Sequence, residues 1–505
     1  MLNLCFKSTN FVERWSEWKV ISDLLSPYEE YYDNKTMRSS VIPKVRKEKS
    51  MNLNRLLQPK TLAVIGVSTS NDRHPANVIF NKNHLRQKVE VFPVNGRGGN
   101  FHGETVYPRV TDIPQQVDLA VIAARADLVP EIMTDCMEAG VGGAVVVSGG
   151  FAESGRRDLQ DRIVSMAKEG NLPFIGPNCL GIYSPPYVDT FFLPSERIVR
   201  PEKGRVAFVS QSGGVLVDQM IKFTGEGVGL SLALSIGNKA LLRELDLLKH
   251  FASDPETDVI AFYVEGFEKG EGRAFVQSAA ECPKPVIVFK SGKTPGGTRA
   301  VSSHTASMAG DYDVFSSVLA QYGIVEAKDE FELVPFCEAL SCYQSPIEGR
   351  IGIITGSGGH GAIAVDTCLS HGLIVPSFSE QEQAEMRTVI SERVKGIASF
   401  GNPIDLTGSA VDDDFVGAVK FLSKKDEIDC ILILLLPYSP GITSDVGARL
   451  SQISRQEGKP LVAYVPHVEK YLMFVEGFQF NHVPVAHSIE EAIHMALAMK
   501  RRKPC

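Results

Sequence analysis

The sequence lacks several patterns that mark particular classes of protein. Its nine cysteines contain no CxxC pair, which argues against a cysteine-based zinc motif and against a disulfide framework. Its net charge of −8 leaves no basic excess for binding nucleic acid or an anionic membrane. No apolar run approaches the roughly 20 residues that span a bilayer. We therefore expect a cytoplasmic protein with reduced cysteines and no metal site of its own, which binds neither nucleic acid nor membranes.

A dinucleotide fingerprint is also absent, although the chain has the pattern of a parallel sheet. The first apolar segment is followed by Val-Ser-Thr-Ser and does not complete a G-x-G-x-x-G motif. Apolar segments separated by longer mixed stretches predict strands at residues 61–66, 89–94, 118–123, 143–148 and 173–176. This alternation indicates parallel βαβ units, whose ligands bind beyond the carboxyl ends of the strands. A nucleotide-like ligand is favoured over a purely structural Rossmann domain.

A repeated segment divides the rest of the chain. Residues 204–214, Gly-Arg-Val-Ala-Phe-Val-Ser-Gln-Ser-Gly-Gly, align with residues 349–359, Gly-Arg-Ile-Gly-Ile-Ile-Thr-Gly-Ser-Gly-Gly. Each copy continues with alternating helices and strands, which predicts two flavodoxin-like α/β domains. The predicted parts are an unassigned extension at residues 1–50, a Rossmann-like domain at 51–195, and flavodoxin-like domains at 200–345 and 349–505. The extension is either an appendage or lies ahead of a translation start at Met51.

Both copies of the repeat predict a glycine-rich helix start. In each, a strand ends in Ser/Thr-x-Ser-Gly-Gly and runs into a helix. The free N–H groups and the positive end of the helix dipole at such a start bind phosphate well. A simple strand-to-helix turn would also favour glycine, but the occurrence in both copies favours phosphate. The residues concerned are Ser212, Gly213, Gly214, Ser357, Gly358 and Gly359.

Residues 290–310 are almost free of large apolar side chains. Glycine, serine and threonine make up most of the segment, which predicts a mobile surface loop. His304 lies in it, and Lys290, Lys293 and Arg299 would attract anions to the same neighbourhood. The imidazole is either a solvated surface histidine or a nucleophile that carries phosphate. Only the first copy of the repeat contains this segment, which favours a functional role.

Glu265 comes at the end of a predicted strand in the first copy of the repeat. Its carboxylate would emerge at the same sheet edge as Ser212 and the segment that holds His304. A carboxylate that accepts the Nδ1–H of an imidazole fixes the tautomer and leaves Nε2 free as a nucleophile. An unrelated surface glutamate is the alternative, and the position at the end of a strand favours the pair.

Five short motifs, in this order and spacing, resemble those of one family. They are Gly-Pro-Asn-Cys-Leu-Gly at 176–181, Ser-Gln-Ser-Gly-Gly at 210–214, Ser-Ile-Gly-Asn-Lys-Ala at 235–240, Tyr-Val-Glu-Gly at 263–266 and Ser-Ser-His-Thr at 302–305. Over residues 51–505 the chain resembles the α subunits of nucleoside-diphosphate-forming acyl-CoA synthetases, relatives of succinyl-CoA synthetase. Within that family it is most similar to the α subunits of ADP-forming acetyl-CoA synthetase.

The resemblance implies a CoA-binding domain followed by two CoA-ligase domains. It implies that acyl-CoA and phosphate give an acyl phosphate, which phosphorylates His304 while Glu265 positions the imidazole. The phosphohistidine would then move to a distant site and phosphorylate a nucleoside diphosphate. The two helix starts would hold the phosphate. The implied CoA contacts are Gly66, Ser68, Ser70, Arg97, Asn178 and Cys179.

Two features of the chain depart from the family or leave its cycle incomplete. Arg97 stands where relatives of succinyl-CoA synthetase carry lysine, although arginine can also hold a phosphate. No segment resembles the ATP-grasp domain with which relatives bind the nucleotide. The resemblance therefore implies coenzyme A as cofactor, Mg-nucleotide bound through a separate ATP-grasp β-type subunit, and a hetero-oligomer.

Two other functions fit a chain of this kind. One is a non-catalytic protein that binds CoA or acyl-CoA as a regulator or scaffold. The other is an enzyme that acts on CoA esters without coupling to a nucleotide. His304 together with Glu265 favours the synthetase, because a scaffold requires neither residue.

Overall fold

The computed structural model describes residues 52–268, 270–305 and 311–502, and of residues 302–305 it describes the backbone alone. The extension expected at residues 1–50 lies outside the described residues. Within the described ranges, no helix combines the length and the apolar character that crossing a membrane would require.

The described chain alternates strands and helices along most of its length. The strands are β1 Thr61–Ile65, β2 Glu90–Val94, β3 Gly99–Phe101, β4 Glu104–Val106, β5 Leu119–Ile122, β6 Gly143–Val146, β7 Phe174–Ile175, β8 Gly181–Ser184, β9 Val188–Asp189, β10 Lys203–Ser210, β11 Leu230–Ser235, β12 Val259–Val264, β13 Val286–Lys290, β14 Val325–Ala327, β15 Ile351–Thr355, β16 Ile404–Asp405, β17 Cys430–Leu434, β18 Leu461–Tyr464 and β19 Val485–Ala486. The α-helices are α1 Asn54–Leu57, α2 Pro75–Arg86, α3 Val129–Glu138, α4 Arg157–Glu169, α5 Gly213–Gly225, α6 Glu244–Ser253, α7 Glu271–Ala280, α8 Pro295–Thr305, α9 Tyr312–Tyr322, α10 Glu330–Cys342, α11 Gly358–Ser370, α12 Glu380–Thr388, α13 Glu392–Lys395, α14 Asp412–Ser423, α15 Val446–Glu457, α16 Leu472–Gln479 and α17 Ile489–Arg501.

The first sheet has the order β2-β1-β5-β6-β7, and all its strands are parallel. All five strands expected between residues 61 and 176 are present, so that prediction is confirmed. Side chains of β1 alternate between two apolar cores: Leu62 and Val64 pack in one, and Ala63 and Ile65 in the other. Because both faces are covered, the strand reads as a continuous apolar run in the sequence.

The second sheet has the order β14-β13-β12-β10-β11-β8-β9. Its first five strands are parallel, and β8 and β9 are added antiparallel at the edge of β11. The chain therefore leaves the first sheet after Ile175 and enters the second at Gly181. The segment between these two residues lies where the two sheets meet, and it carries the Pro-Asn-Cys-Leu part of the first family-like motif.

The third sheet has the order β16-β15-β17-β18-β19 and is parallel throughout. It shares one apolar core with the second sheet, to which α10 and α17 contribute Leu340, Ile493 and Ala496. In both copies of the repeat, a central strand leads directly into a helix: β10 into α5, and β15 into α11. The two predicted helix starts are therefore confirmed as elements of the fold.

The loop expected at residues 290–310 is wrong for much of its length, because residues 295–305 form α8. Thr294 begins this helix: its hydroxyl accepts from Gly297 N at 3.1 Å, and its carbonyl accepts from Thr298 N at 2.8 Å. Pro295 occupies the first helical position, where its fixed φ suits a helix and its missing N–H costs nothing. A Thr-Pro start thus outweighs the local glycines. Residues 306–310 lie outside the described part.

Candidate functional site

The carboxyl edge of the first sheet carries the first predicted cofactor contact, Gly66. Its φ of +103° and the space around it require glycine, since a Cβ there would lie 2.3 Å from the carbonyl oxygen of Ala123. Gly66 lines a cavity of about 730 Å³ together with Asn95 and Gly96. Arg97 follows directly and is exposed beside this cavity, although it does not line it.

Ser68 and Ser70 lie in the loop after β1, outside that cavity. The buried amide of Asn77, on α2, holds this loop: its Oδ1 accepts from Ser68 N at 2.7 Å and its Nδ2 donates to Ser68 O at 2.7 Å. The Ser68 hydroxyl accepts from the N–H of Ser70 at 3.3 Å. Sequence reasoning missed Asn77, which has no motif around it and is identified only by its contacts.

A second cavity, of about 810 Å³, joins residues that the sequence assigned to two different domains. Its walls include Asn178 and Cys179 from the segment between β7 and β8, and Ser212, Gly213 and Gly214 from the start of α5. A volume of this size is ordinary for a small-molecule or cofactor site. The predicted acyl end of CoA and the predicted phosphate position thus share one cavity.

Two residues on the CoA side of this cavity have different exposures. Asn178 is exposed with a φ of +58°, and its Nδ2 lies 3.4 Å from Asn238 Oδ1. Cys179 is buried, and its thiol donates to the carbonyl of Val146 at 3.4 Å. Burial raises the pKa of the Cys179 thiol to about 12, so the group is neutral at physiological pH. Cys179 therefore suits the wall of a pocket and not a nucleophile.

The start of α5 forms the opposite wall. The Ser212 hydroxyl caps the helix by accepting from Val215 N at 3.4 Å. The first N–H groups of a helix, here those of Gly213 and Gly214, have no partner inside the helix and are available to an anion. The segment opposite is tied to the second sheet, because Leu180 N donates to Ser235 Oγ at 3.2 Å. These contacts fix the distance between the two walls.

The register of the second sheet brings Glu265 to the same edge. Ser210 pairs with Tyr263 and Val264 with Lys290, so β10, β12 and β13 end side by side. Glu265 is buried, and the hydroxyl of Tyr263 donates to its Oε1 at 3.5 Å. The side chain of His304 lies outside the described residues, and its pairing with Glu265 stays a prediction.

A buried network holds the backbone at Glu265. The side-chain oxygen of Gln211 accepts from the N–H groups of Glu265 at 2.6 Å and of Gly266 at 3.3 Å, and its Nε2 donates to Gly266 O at 2.9 Å. Gln211 also donates to Glu244, which forms a buried ion pair with Lys239 at 3.0 Å. Sequence reasoning assigned these side chains no role. Gln211 and Lys239 lie within the family-like motifs, whereas no pattern marks Glu244.

Lys290 reinforces the same edge from β13. It is buried, and its Nζ donates to the carbonyl of Glu265 at 2.7 Å and to that of Ser291. Burial lowers the pKa of Lys290 to about 8, although the negative charge of Glu265 acts to raise it. Lys290 also lines a cavity of about 440 Å³ with Gly292 and Tyr263.

This pKa predicts how Lys290 affects stability. The folded pKa of about 8 is below the unfolded value of about 10.4, so between these values only the unfolded chain binds the proton. The free energy of unfolding contributed by Lys290 therefore rises with pH across that window. In urea titrations at pH 7.5 and 9.5, the wild-type chain should gain stability relative to Lys290→Met at the higher pH. A difference between the two proteins that does not change with pH would contradict this prediction.

The second helix start has a different setting. Ser357 is the N-cap of α11, and its Oγ lies 3.1 Å from His360 Nδ1. A Cβ at Gly358 would lie 3.0 Å from Asp405 Oδ2, whereas at Gly359 the nearest atom is 4.0 Å away. These residues do not line the cavity of about 810 Å³, so the structure joins only the first helix start to the residues of the CoA side.

Comparison with protein families identifies two parts of the chain. Residues 60–185 match the model of a CoA binding domain. Residues 203–340 match the model of a succinyl-CoA ligase like flavodoxin domain. The first match includes the cavity lined by Gly66, and the second includes the start of α5 and Glu265. The predicted fold class, a CoA-binding Rossmann-like unit with CoA-ligase flavodoxin-like units, is confirmed.

Similar proteins carry related names. Acetate–CoA ligase (ADP-forming) I of Archaeoglobus fulgidus is 36% identical over 76% of this chain, which spans 55% of that protein, about half its length. Acetate–CoA ligase (ADP-forming) II subunit alpha of Pyrococcus furiosus is 31% identical over 84% of this chain and 93% of its own. A solved structure of the dinucleotide forming acetyl-coenzyme A synthetase 1 of Ca. Korarchaeum cryptofilum, with phosphate and ADP, matches with a TM-score of 0.78 and 31% identity. It covers 89% of this chain and 96% of its own.

Proposed function

Because the chain belongs to the family of ADP-forming acyl-CoA synthetase α subunits, we propose that it is the α-type subunit of such a synthetase. The reaction converts acyl-CoA, a nucleoside diphosphate and phosphate into the free acid, the nucleoside triphosphate and CoA. The observation that carries this proposal is the cavity of about 810 Å³, in which the residues of the CoA side face the start of α5. A thioester and a phosphate can meet there.

The proposed roles follow from that geometry. Asn178 and Cys179 line the acyl end of bound CoA, and the N–H groups of Gly213 and Gly214 hold the phosphate. Because both walls are held by backbone contacts, the phosphate is positioned close to the thioester carbonyl. For the rest of the CoA molecule, we assign contacts at the edge of the first sheet to Gly66, Ser68, Ser70 and Arg97.

The chemistry proceeds in three transfers. A phosphate oxygen attacks the thioester carbonyl, the C–S bond breaks, and CoA leaves with a proton as the thiol. Nε2 of His304 then attacks the phosphorus of the acyl phosphate, and the P–O bond breaks to release the carboxylate. Finally, a terminal oxygen of the nucleoside diphosphate attacks the phosphohistidine and the P–N bond breaks. Glu265 orients the imidazole and stabilises its positive charge.

The second helix start has a role in this scheme as the other half of a cradle for the phosphorylated imidazole. Its Ser357, Gly358 and Gly359 present the same positive helix end as the first start. The nucleotide and Mg²⁺ bind to an ATP-grasp partner subunit, so that the working enzyme is a hetero-oligomer. The name of the Pyrococcus furiosus relative, a subunit alpha, supports a partner.

An aspartate at position 214 tests the phosphate site. Gly214 is the second residue of α5, and a Cβ there has no atom nearer than 4.0 Å, so the side chain fits. A carboxylate at a helix N-terminus stabilises the helix but repels phosphate. We expect Gly214→Asp to keep the melting temperature of the wild-type chain and to lose at least about 100-fold in rate, as when one anion-binding donor is removed.

The measurement is acetyl-CoA-dependent formation of ATP from ADP and phosphate, with the ATP-grasp partner present. Gly214→Ala is the matched control, because it adds the Cβ without the charge, and it should keep most of the activity. Wild-type activity in Gly214→Asp would refute the phosphate site. Binding of CoA by the wild-type chain without turnover, with the partner present, would favour the non-catalytic CoA-binding function.

A further inference from the structure

Three side chains converge where the second sheet meets the third, away from the proposed catalytic cavity. Glu226 follows the last residue of α5, His467 lies in the loop after β18, and His487 directly follows β19. One ligand atom of each lies within 4.8 Å of the others. Gln479, at the end of α16, also donates to the carbonyl of Glu226 at 3.3 Å, which anchors the end of α5 against the third sheet.

The geometry of His487 is that of a metal ligand. Its Nδ1 lies 2.9 Å from the carbonyl oxygen of Val465, and because a carbonyl only accepts, Nδ1 carries the proton. Nε2 is therefore left with its lone pair directed away from that bond. A backbone carbonyl that fixes the tautomer in this way is the usual second partner of a metal-bound histidine.

The spacing of the other groups agrees with this. Nε2 of His487 lies 3.5 Å from Oε2 of Glu226, which is long for a hydrogen bond. A tetrahedral zinc ion with bonds of about 2.0–2.1 Å places its ligand atoms about 3.3 Å apart. The rings of His467 and His487 are nearly perpendicular, at 84°, with centroids 4.3 Å apart. Both imidazoles can thus approach one ion without stacking on each other.

The local charge also favours a cation. Oε2 of Glu226 is buried, and no donor in the described part of the chain hydrogen-bonds to it. Glu491 and Glu338 lie close by, and they accept from the N–H groups of His487 at 2.7 Å and of Val485 at 2.9 Å. Burial raises the pKa of Glu338 well above its ordinary value, and the charges of Glu491 and Glu226 raise it further. Carboxylates gathered in this way are costly unless a cation balances them.

We propose that Glu226, His467 and His487 form a binding site for a divalent transition metal, Zn²⁺, that links the second and third sheets. Two imidazoles and one carboxylate suit zinc better than magnesium or calcium, which prefer oxygen ligands. His467 is exposed, so water can complete the coordination. The site lies at the opposite end of α5 from Gly213, about 20 Å along a helix of this length. The ion therefore fixes the orientation of the helix whose start we assign to phosphate.

The test uses the full chain, stripped with a chelator and titrated with Zn²⁺ alone in competition with a chromophoric chelator. We expect the wild type to bind one equivalent that His467→Ala and Glu226→Gln bind at least about 10–100-fold more weakly, the loss seen even when a partner of a ligand is removed. His467 is exposed, so its variant keeps the fold. His371→Ala, at another exposed histidine with a second imidazole 5.4 Å from its ring, is the matched control and should bind as the wild type.

Thermal unfolding gives a second readout. Zn²⁺ should raise the melting temperature of the wild type and of His371→Ala, and should leave that of His467→Ala unchanged, because a ligand that binds the folded chain stabilises it. Equal zinc affinity in the wild type and both ligand variants would overturn the proposal, since the ion would then bind elsewhere. Absence of the tight equivalent in the wild type would overturn it as well. Neither readout depends on synthetase activity.

Discussion

Replacing His304 with alanine is expected to abolish the covalent label that the wild-type chain acquires from acetyl-CoA and radiolabelled phosphate. In the proposed reaction the imidazole is the only group that takes the phosphoryl group from the acyl phosphate, so no other residue can carry the label. A phosphohistidine contains a P–N bond and is therefore labile in acid and stable in base. The measurement is retention of label through acid and base treatment of the denatured protein.

Two further variants define the result. His371→Ala removes an exposed histidine far along the sequence and should keep the full label. Glu265→Gln keeps the shape of the side chain but loses its charge, so labelling should become slower without disappearing, because the glutamate positions the imidazole and does not form the bond. A label in His304→Ala equal to that of the wild type would contradict the proposed acceptor. If the wild type takes no label even with the ATP-grasp partner and ATP, the synthetase proposal fails.

Replacing Asp189 with asparagine is expected to destabilise the fold by about 3–5 kcal/mol, the usual cost of breaking a buried ion pair by removing one partner. Asp189, on β9, is almost fully buried, with 2% of its side chain exposed. It lies 2.8 Å from Lys82 Nζ and 2.7 Å from Arg200 Nε, and it accepts from Phe191 N at 3.0 Å. Asparagine would leave two cations in the interior without a counter-charge.

The position of this cluster increases its importance. Lys82 comes from α2 of the first sheet, whereas Asp189 belongs to the second sheet, so the ion pair joins the two. Burial lowers the pKa of Lys82 to about 8 although Asp189 acts to raise it, so losing Asp189 removes a group that keeps this lysine charged. Urea unfolding of the full chain at pH 7 measures the effect.

Asp127→Asn provides the matched control for this experiment. Asp127 pairs with Arg156 at 2.5 Å, but both side chains are about half exposed, at 57% and 44%. An exposed pair contributes about 0–1 kcal/mol, so this variant should unfold close to the wild type. If Asp189→Asn also lost less than about 1 kcal/mol, the buried cluster would not stabilise the junction of the two sheets.

Particular residues explain which parts of the fold could be predicted. The strands of the first sheet were found because each is a short apolar run, and the starts of α5 and α11 because Ser-Gly-Gly after a strand is a local signal. The helix at residues 295–305 was missed because its many small residues were given more weight than the start formed by Thr294 and Pro295. Capping chemistry was the better guide at that point.

The sequence by itself determined the order of strands and helices, the two glycine-rich helix starts and the motifs that place the chain in its family. These depend on neighbouring residues, whose backbone preferences and hydrogen bonds act over a few positions. Only the tertiary structure decided that Asn178 and Gly214 line one cavity, that Asp189 meets Lys82, and that Glu226 meets His487. Such contacts depend on how whole sheets pack, and packing is set by the summed shape and burial of many side chains, which no local pattern records.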